Sequence, residues 1–213
     1  MNLSTIIAYC DLLAVAVFAA SGALAAAERR LDIMGFVLFG TITGIGGGTL
    51  RDALLQLPTF WISDTRYLWV CTAVSALTWY LAPTFSARRR LLLWADALGL
   101  ALFCVLGCAK ALEYQAPWIV AIVMGVMSAS FGGLIRDTLL RRESVLFGAE
   151  LYVSAALAGA ASYVLLNALK PVLMPLAGAG LDTLTLLLAM LPAFILRAGA
   201  IQFAWGLPGY RRL

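Results

Sequence analysis

Histidine is absent from the 213-residue sequence, and charged residues make up only 12% of it. The absence of histidine excludes imidazole metal ligands and acid–base catalysis that depends on an imidazole. The charged fraction is well below the ~25% that is usual in soluble domains, whereas hydrophobic residues reach 63%. The composition therefore predicts an integral membrane protein with almost no soluble part.

Cysteine is scarce as well, and its four residues all lie inside apolar stretches, at Cys10, Cys71, Cys104 and Cys108. We expect them to be small buried side chains. The sequence has neither zinc-ligand spacing nor a nucleophile–base constellation, so no metal, cofactor or enzymatic activity is expected. The formal charge of +4 comes from short basic clusters between apolar stretches, which indicate membrane topology rather than a nucleic-acid partner.

Seven apolar segments follow one another along the chain. Several have few or no charges over the ~20 residues that a helix needs to span a bilayer. The segments cover residues 6–27, 33–57, 67–81, 91–112, 118–140, 150–169 and 181–205. Lys170-Pro171 is expected to end the sixth. We therefore expect a single all-α membrane domain, residues 1–213, with seven transmembrane helices.

The first half of the sequence recurs in the second half. Residues 47–52 (GGTLRD) return as residues 132–137 (GGLIRD), an offset of 85 that continues without a gap across the neighbouring sequence. Each copy holds three apolar segments, so the expected repeats are 6–84 and 91–170, with 181–207 as an added seventh helix. Because three is odd, the second copy must enter the membrane from the opposite face, as an inverted repeat.

Basic clusters follow alternate segments and set the expected orientation. They lie at Arg29-Arg30, Arg88-Arg89-Arg90, Arg141-Arg142 and Arg211-Arg212, after the first, third, fifth and seventh segments. Alternate loops lie on one side of a membrane. The positive-inside rule then predicts a cytoplasmic C-terminus and an N-terminus outside.

A run of glycines interrupts the second segment, and a shorter run interrupts the fifth. Each glycine lowers helix propensity by roughly 1 kcal/mol, so we expect these two helices to kink or unwind. Freed backbone groups and nearby hydroxyls would then line an aqueous path, the alternative being a purely structural kink. The candidate pore and kink residues are Gly46, Gly47, Gly48, Thr49, Ser128, Ser130, Gly132 and Gly133.

An Arg-Asp pair follows each glycine run. A charged residue at the membrane centre costs ~2.5–3.5 kcal/mol on insertion scales, so each pair needs a partner or water. Neighbouring side chains on a helix point about 100° apart. We therefore expect Arg51 to pair with Asp137, and Arg136 with Asp52, across the two repeats. The alternative is that each arginine extends to its own membrane interface.

Further charges stand alone inside the apolar segments. Lys110 has no charged counterpart in the first copy and is a candidate gate or voltage-responsive group, the alternative being extension to the interface near Glu113. Asp11 and Asp96 match across the repeat and begin their segments, where an acid stabilises a helix N-terminus. Arg197 is expected either to line a cavity or to bind a lipid headgroup.

These motifs resemble the prokaryotic branch of the trimeric intracellular cation (TRIC) channels, whose bacterial sequences are also labelled glycine transporters. The resemblance spans nearly the whole chain and rests on residues 21–26, 44–52, 107–111 and 132–137. It implies seven helices, inverted three-helix repeats and a homotrimer. It also implies a pore for monovalent cations such as potassium in each protomer, between the two glycine-kinked helices. The Lys-Glu-Val motif of animal members is not kept, because alanine and leucine follow Lys110.

Two functions are consistent with these features. The first is a channel in which backbone and hydroxyl oxygens offset the partial dehydration of a monovalent cation, potassium in particular. The alternative is a secondary transporter of glycine or a similar small zwitterion, with helix N-termini binding the carboxylate and an aspartate the ammonium group. Membrane lipids are expected as partners, and the bacterial inner membrane is the expected location.

Overall fold

The protein is built from α-helices. The computed structural model describes residues 3–84, 88–141, 151–177 and 180–207, and eight α-helices lie within these ranges. They are α1 (Leu3–Glu28), α2 (Ile33–Leu54), α3 (Phe60–Ser63), α4 (Arg66–Leu81), α5 (Arg88–Glu113), α6 (Trp118–Leu139), α7 (Val153–Ala177) and α8 (Leu181–Phe203). Six of them are long and apolar enough to cross a membrane, namely α1, α2, α5, α6, α7 and α8. The prediction of an all-α membrane protein is thus confirmed, while the short helix α3 was not predicted.

The helix ends recur with the same spacing as the sequence. α1 and α5 are followed by Arg30 and Gln115, which adopt left-handed backbone angles with φ of 55° and 58°. α2 and α6 are followed in the same way by Gln56 and Arg141, with φ of 56° and 49°. A left-handed residue ends a helix by letting the chain turn back on its last carbonyls. Both pairs are 85 residues apart in the chain, so the duplicated sequence forms duplicated turns.

Helices α2 and α6 cross at their glycines. A Cβ atom at Gly47 would overlap the carbonyl oxygen of Ser128, and one at Gly132 would overlap that of Thr43. Thr43 of α2 lies against Gly132 of α6, and Gly47, further along α2, lies against Ser128, which comes earlier in α6. The two helices therefore run antiparallel. We call this contact the glycine crossing. It lets the two backbones approach more closely than larger side chains would permit.

Helices α1 and α5 also pack antiparallel, and they form the centre of the core. The rings of Phe18 and Phe103 stack with centroids 5.3 Å apart, and Ser21 lies 3.5 Å from Asp96. Because the numbers again run in opposite directions, α1 and α5 are antiparallel. Each of these four side chains is almost completely buried.

The glycine runs were predicted to kink or unwind their helices. The unwinding is wrong, while the kink stays a prediction. Both α2 and α6 continue as α-helix through their glycine runs. In lipid no water can satisfy freed backbone groups, so an intact helix is the less costly solution. The glycines act in the packing of the two backbones, and the carbonyls that the prediction assigned to ions remain inside a helix.

The end predicted for the sixth segment, at Lys170-Pro171, is also wrong. α7 continues past Pro171 to Ala177. A proline removes one backbone hydrogen bond, which membrane helices tolerate when neighbouring groups compensate. α5 begins earlier than expected, at Arg88 instead of residue 91, so the second basic cluster, Arg88-Arg89-Arg90, belongs to the helix itself.

Basic loops lie together at one end of the helices. Arg29 donates to the carbonyl oxygen of Arg141 at 2.8 Å. Arg90 donates to Gln202 at 3.2 Å. These bonds bring the regions after α1, α6 and α8, and the start of α5, to the same end of the molecule. Three further residues of the orientation argument, Arg142, Arg211 and Arg212, lie outside the described residues.

Candidate functional site

The first Arg-Asp motif forms a buried ion pair at the C-terminal end of α2. Arg51 reaches Asp52 through Nε at 2.9 Å and Nη2 at 2.8 Å. Lys110 on α5 adds a second cation, with Nζ 3.0 Å from one oxygen of Asp52 and 3.2 Å from the other. The side chain of Asp52 is completely buried, whereas that of Lys110 is 25% exposed. The carboxylate is therefore shared by cations from both halves of the chain.

The short helix α3 folds back over this ion pair. The backbone N–H of Phe60 donates to Asp52 Oδ2 at 3.0 Å. Trp61 donates from Nε1 to the hydroxyl of Thr49 at 2.9 Å. A Cβ at Gly48 would lie only 2.6 Å from the ring of Phe60. Gly48 is thus needed where α3 meets α2, a contact that the predicted role in a kink did not include.

A tyrosine–aspartate hydrogen bond completes this group of residues. The hydroxyl of Tyr67 donates to Asp11 Oδ2 at 2.9 Å, and the Tyr67 ring meets that of Phe60 edge to face with centroids 4.6 Å apart. We call Asp11, Arg51, Asp52, Phe60, Tyr67 and Lys110 the cavity cluster. They join α1, α2, α3, α4 and α5.

An open cavity of about 640 Å³ adjoins the cavity cluster. Its lining carries both signs of charge, with Asp11 and Glu113 as acids and Arg51 and Lys110 as bases. Tyr163 and Asn167 from α7 line the opposite side. A cavity of this kind can hold hydrated ions or a small polar solute.

The second Arg-Asp motif repeats the local pairing in a fully buried setting. Arg136 reaches Asp137 through Nε at 2.8 Å and Nη2 at 3.1 Å. Its Nη1 lies 3.1 Å from Asp96 and donates to the hydroxyl of Ser21 at 2.6 Å. Each of these four side chains is at most 2% exposed. One guanidinium therefore binds two carboxylates and a hydroxyl without contact with solvent.

Arg197 joins this second group from α8. Its guanidinium lies over the ring of Tyr152, with Cζ 4.8 Å from the centroid, and Arg197 is completely buried. A Cβ at Gly133 would be 3.4 Å from the Tyr152 hydroxyl and 3.5 Å from Asp96, so these groups are neighbours. We call Ser21, Asp96, Arg136, Asp137, Tyr152 and Arg197 the sealed cluster. Burial of Arg197 removes the predicted contact with a lipid headgroup.

The predicted exchange of partners between the two motifs is wrong. Arg51 pairs with Asp52 and Arg136 with Asp137. The motifs follow the glycines on antiparallel helices, so they lie on opposite sides of the glycine crossing. Five residues of α-helix on each side separate them by about 15 Å, too far for the predicted pairs. The long arginine side chains turn back onto the adjacent carboxylates instead, and both are too deeply buried to extend to a membrane interface.

The two motifs do make contacts between the two halves of the chain, but with residues other than the predicted ones. Lys110 of the second half binds Asp52 of the first, and Arg136 of the second half binds Ser21 of the first. Asp11 and Asp96 are also not helix-terminal acids, because α1 and α5 begin well before them. The two aspartates lie inside their helices and bind a tyrosine hydroxyl and a guanidinium, respectively.

The remaining predicted pore residues divide into backbone contacts and hydroxyls. Gly46, Gly47 and Gly132 lie in the glycine crossing. The hydroxyls of Thr49 and Ser128 donate to carbonyls four residues back in their own helices, at 2.8 Å and 2.7 Å. The hydroxyl of Ser130 is buried, and no hydrogen-bond partner for it lies within the described part of the chain. None of these positions lines the 640 Å³ cavity.

Sequence reasoning missed Phe60, Trp61 and the two tyrosines as members of a site. Tyr67 and Tyr152 fall on the repeat register of 85 residues, as do Asp11 and Asp96. Two matched pairs of polar residues in apolar segments were therefore a signal for tyrosine–aspartate contacts. Phe60 and Trp61 carried no such signal, because they lie in the connection between two segments.

The fold and these clusters define the class: an all-α membrane protein made of two related halves, each with a buried Arg-Asp motif beside the glycine crossing. The sequence model of a family described as glycine transporter matches the chain twice, at residues 8–83 and 93–168. The chain belongs to this family, and the resemblance to the prokaryotic TRIC channels is confirmed.

Its relatives have names that describe membrane proteins. The chain is 37% identical to a UPF0126 membrane protein of Vibrio cholerae over 206 residues, which cover 94% of this chain and 81% of the relative. It is 39% identical to the UPF0126 inner membrane protein YadS of Escherichia coli, over 71% of this chain and 74% of the relative.

Solved structures with the same fold are TRIC channels. The TRIC orthologue from Rhodobacter sphaeroides is 39% identical, with a TM-score of 0.87 over 94% of this chain and all of the solved chain. A prokaryotic TRIC channel crystallised in 0.5 M KCl is 26% identical, with a TM-score of 0.84 over 96% of this chain and all of the solved chain.

Proposed function

We propose that the protein is a channel for monovalent cations, potassium in particular, with one pore in each protomer of a homotrimer. The observation that carries this proposal is the match to the solved TRIC channels, with TM-scores from 0.81 to 0.87. One of those structures is of a trimeric intracellular cation channel orthologue, and another gives the structural basis for conductance through TRIC cation channels. The open, charged cavity supplies a place where ions can enter the protomer.

The proposed architecture has seven membrane spans. α4, with 16 residues, is the third span of the first repeat, and α7 is its counterpart in the second. The two repeats are inverted with respect to each other, in keeping with the antiparallel crossing of α2 and α6, and α8 is the added span. The basic loops at one end of the helices support a cytoplasmic C-terminus, and the name of the Escherichia coli relative supports an inner-membrane location.

In the proposed mechanism, a cation enters the 640 Å³ cavity and then passes the glycine crossing. Asp11 and Glu113 attract the cation, while Asp52 offsets only part of the positive charge of Arg51 and Lys110, so that an electrostatic barrier remains beside it. The close backbone contact at Gly47 and Gly132 closes the path. Conduction requires α2 and α6 to separate there, a motion that small residues permit because few side-chain contacts must break.

Recording from purified protein in planar bilayers tests this function. We expect unitary currents carried by potassium, with a reversal potential in a KCl gradient that follows the cation. Currents that follow chloride, or the absence of currents from protein that is folded and trimeric by native mass spectrometry, would contradict it.

The alternative is a secondary transporter of glycine or a similar small zwitterion. The observation in its favour is that the cavity carries carboxylates and cations together, which could bind the ammonium and carboxylate ends of one amino acid. Glycine uptake into proteoliposomes separates the two functions. Saturable, proton- or sodium-coupled uptake without unitary currents would replace the channel with the transporter.

A further inference from the structure

We propose that Phe60 on helix α3 is the plug of the cavity, the side chain that limits passage of ions from the cavity to the glycine crossing. The inference rests on the proposed channel function and identifies a residue that limits permeation. It arises from five contacts that hold helix α3 and its aromatic ring between the charged cavity and α2.

The first two contacts fix the backbone and position of α3. Asp52 accepts the N–H of Phe60 at 3.0 Å, so the carboxylate that binds Arg51 and Lys110 also holds the first residue of this helix. Trp61 adds the bond to Thr49 at 2.9 Å. A helix of four residues has little stability of its own, so these two side-chain bonds determine whether α3 stays docked.

The other contacts fix the ring. It packs directly on Gly48, where a Cβ would be only 2.6 Å from Cε1. It also lies beneath two cations, with the centroid 5.9 Å from Arg51 Cζ and 5.8 Å from Lys110 Nζ. Such distances permit a favourable interaction of a cation with the ring face. Phe60 is 9% exposed and faces the cavity.

This arrangement accounts in two ways for a block at the inner end of the open cavity. An apolar ring at a constriction disfavours water, and ions cannot pass where water is excluded. The ring also holds two positive charges at the inner end of the cavity, which disfavours the approach of another cation. Undocking α3 removes the ring from Gly48 and leaves Asp52 accessible from the cavity, so a docked α3 corresponds to the non-conducting state.

The test is single-channel recording in potassium of wild-type protein and variants at Phe60. Phe60→Ala removes the ring and is expected to raise the open probability several-fold. Phe60→Leu retains an apolar side chain of similar reach and is expected to stay near wild type. Ile62→Ala is the matched control, because Ile62 lies on the same short helix but is 65% exposed.

A second pair of variants leaves Phe60 intact and so guards against a folding defect. Trp61→Phe and Thr49→Val each remove the same hydrogen bond, and each is expected to raise the open probability by about two- to tenfold. The double variant is expected to match the single ones, because the bond between Trp61 and Thr49 is the one that joins α3 to α2 at these residues. Gly48 itself is left unchanged in these variants, because any side chain at that position would collide with the Phe60 ring.

The outcomes are distinguishable. Wild-type currents together with raised open probability in Phe60→Ala and Trp61→Phe support the plug. Wild-type currents with unchanged open probability in Phe60→Ala, Trp61→Phe and Thr49→Val overturn the plug and leave the channel intact. Failure of every folded protein, wild type included, to conduct overturns the channel function and the plug with it.

Discussion

The cavity cluster and the sealed cluster contain the two copies of the same repeated motif but have different surroundings. In both, an arginine binds the aspartate that follows it, and a tyrosine lies beside an aspartate of the repeat. Each also receives a second cation that has no charged counterpart in the other cluster's repeat position, Lys110 in one and Arg197 in the other. The local ion pair was therefore retained while the neighbouring helices determined its access to solvent.

The difference in access indicates a difference in role. The cavity cluster borders a space of about 640 Å³, and Lys110 is 25% exposed. Every member of the sealed cluster is at most 2% exposed. A buried cluster of paired charges contributes to the uniqueness of a fold, whereas charges at a cavity can act on ions. Three pairs of matched substitutions test this division: at the arginines of the two motifs, at the added cations and at the repeat-related aspartates.

The largest effect is expected from loss of the arginine in the sealed cluster. Arg136→Ala leaves Asp96 and Asp137 buried without their shared cation, which should reduce stability by about 3–5 kcal/mol. Arg51→Ala should cost clearly less, because Lys110 still neutralises Asp52 and the cavity admits water. Thermal unfolding in detergent, with exposed Arg66→Gln as the control, measures both. Equal losses would show that the two clusters do not differ as described.

A smaller effect is expected at the glycine crossing. Gly47→Ala and Gly132→Ala force the two backbones apart, since each new Cβ would overlap a carbonyl oxygen, and should cost about 1–3 kcal/mol. Gly46→Ala and Gly133→Ala place their Cβ no closer than 3.4 Å to a neighbour. These two should be neutral or slightly stabilising, because alanine is the better helix former. The same unfolding assay separates the pairs, and equal destabilisation at all four positions would contradict the crossing.

The smallest change in stability is expected from Lys110→Met, because Lys110 is partly exposed and its interaction with Asp52 is weakened by solvent. Its main effect should be on conduction, since loss of one positive charge leaves the cavity more attractive to potassium. Arg197→Met, the counterpart in the sealed cluster, should lower stability without changing unitary conductance. A change of conductance in Arg197→Met alone would reverse the roles of the two clusters.

Much of the fold could be predicted from the sequence because membrane helices leave strong signals. Long apolar segments predicted the all-α architecture, and the register of 85 residues also recurs in the turns that end α1, α2, α5 and α6. The proline at position 171 was misleading, since proline ends helices in water more reliably than in a membrane. Helix α3 was missed because four residues between two segments carry no periodicity.

The candidate site was predicted in composition but not in its contacts. Arg51, Asp52, Lys110, Arg136 and Asp137 do form two buried clusters, yet their pairing depends on the direction and crossing of α2 and α6. The glycines were predicted to free backbone groups, while they serve instead to bring two intact helices together. Both errors have one cause: the repeat register relates residues to their equivalents, but it does not give the distance between them.

The repeat-related aspartates give the most direct test of the account. Asp11 lines the cavity and Asp96 is completely buried, so Asp11→Asn and Asp96→Asn change the same residue in the two settings. Single-channel recording in symmetrical KCl measures the unitary conductance of each folded variant. We expect Asp11→Asn to lower the conductance for potassium and Asp96→Asn to leave it at the wild-type value. A reduced conductance in Asp96→Asn with a normal value in Asp11→Asn would contradict it.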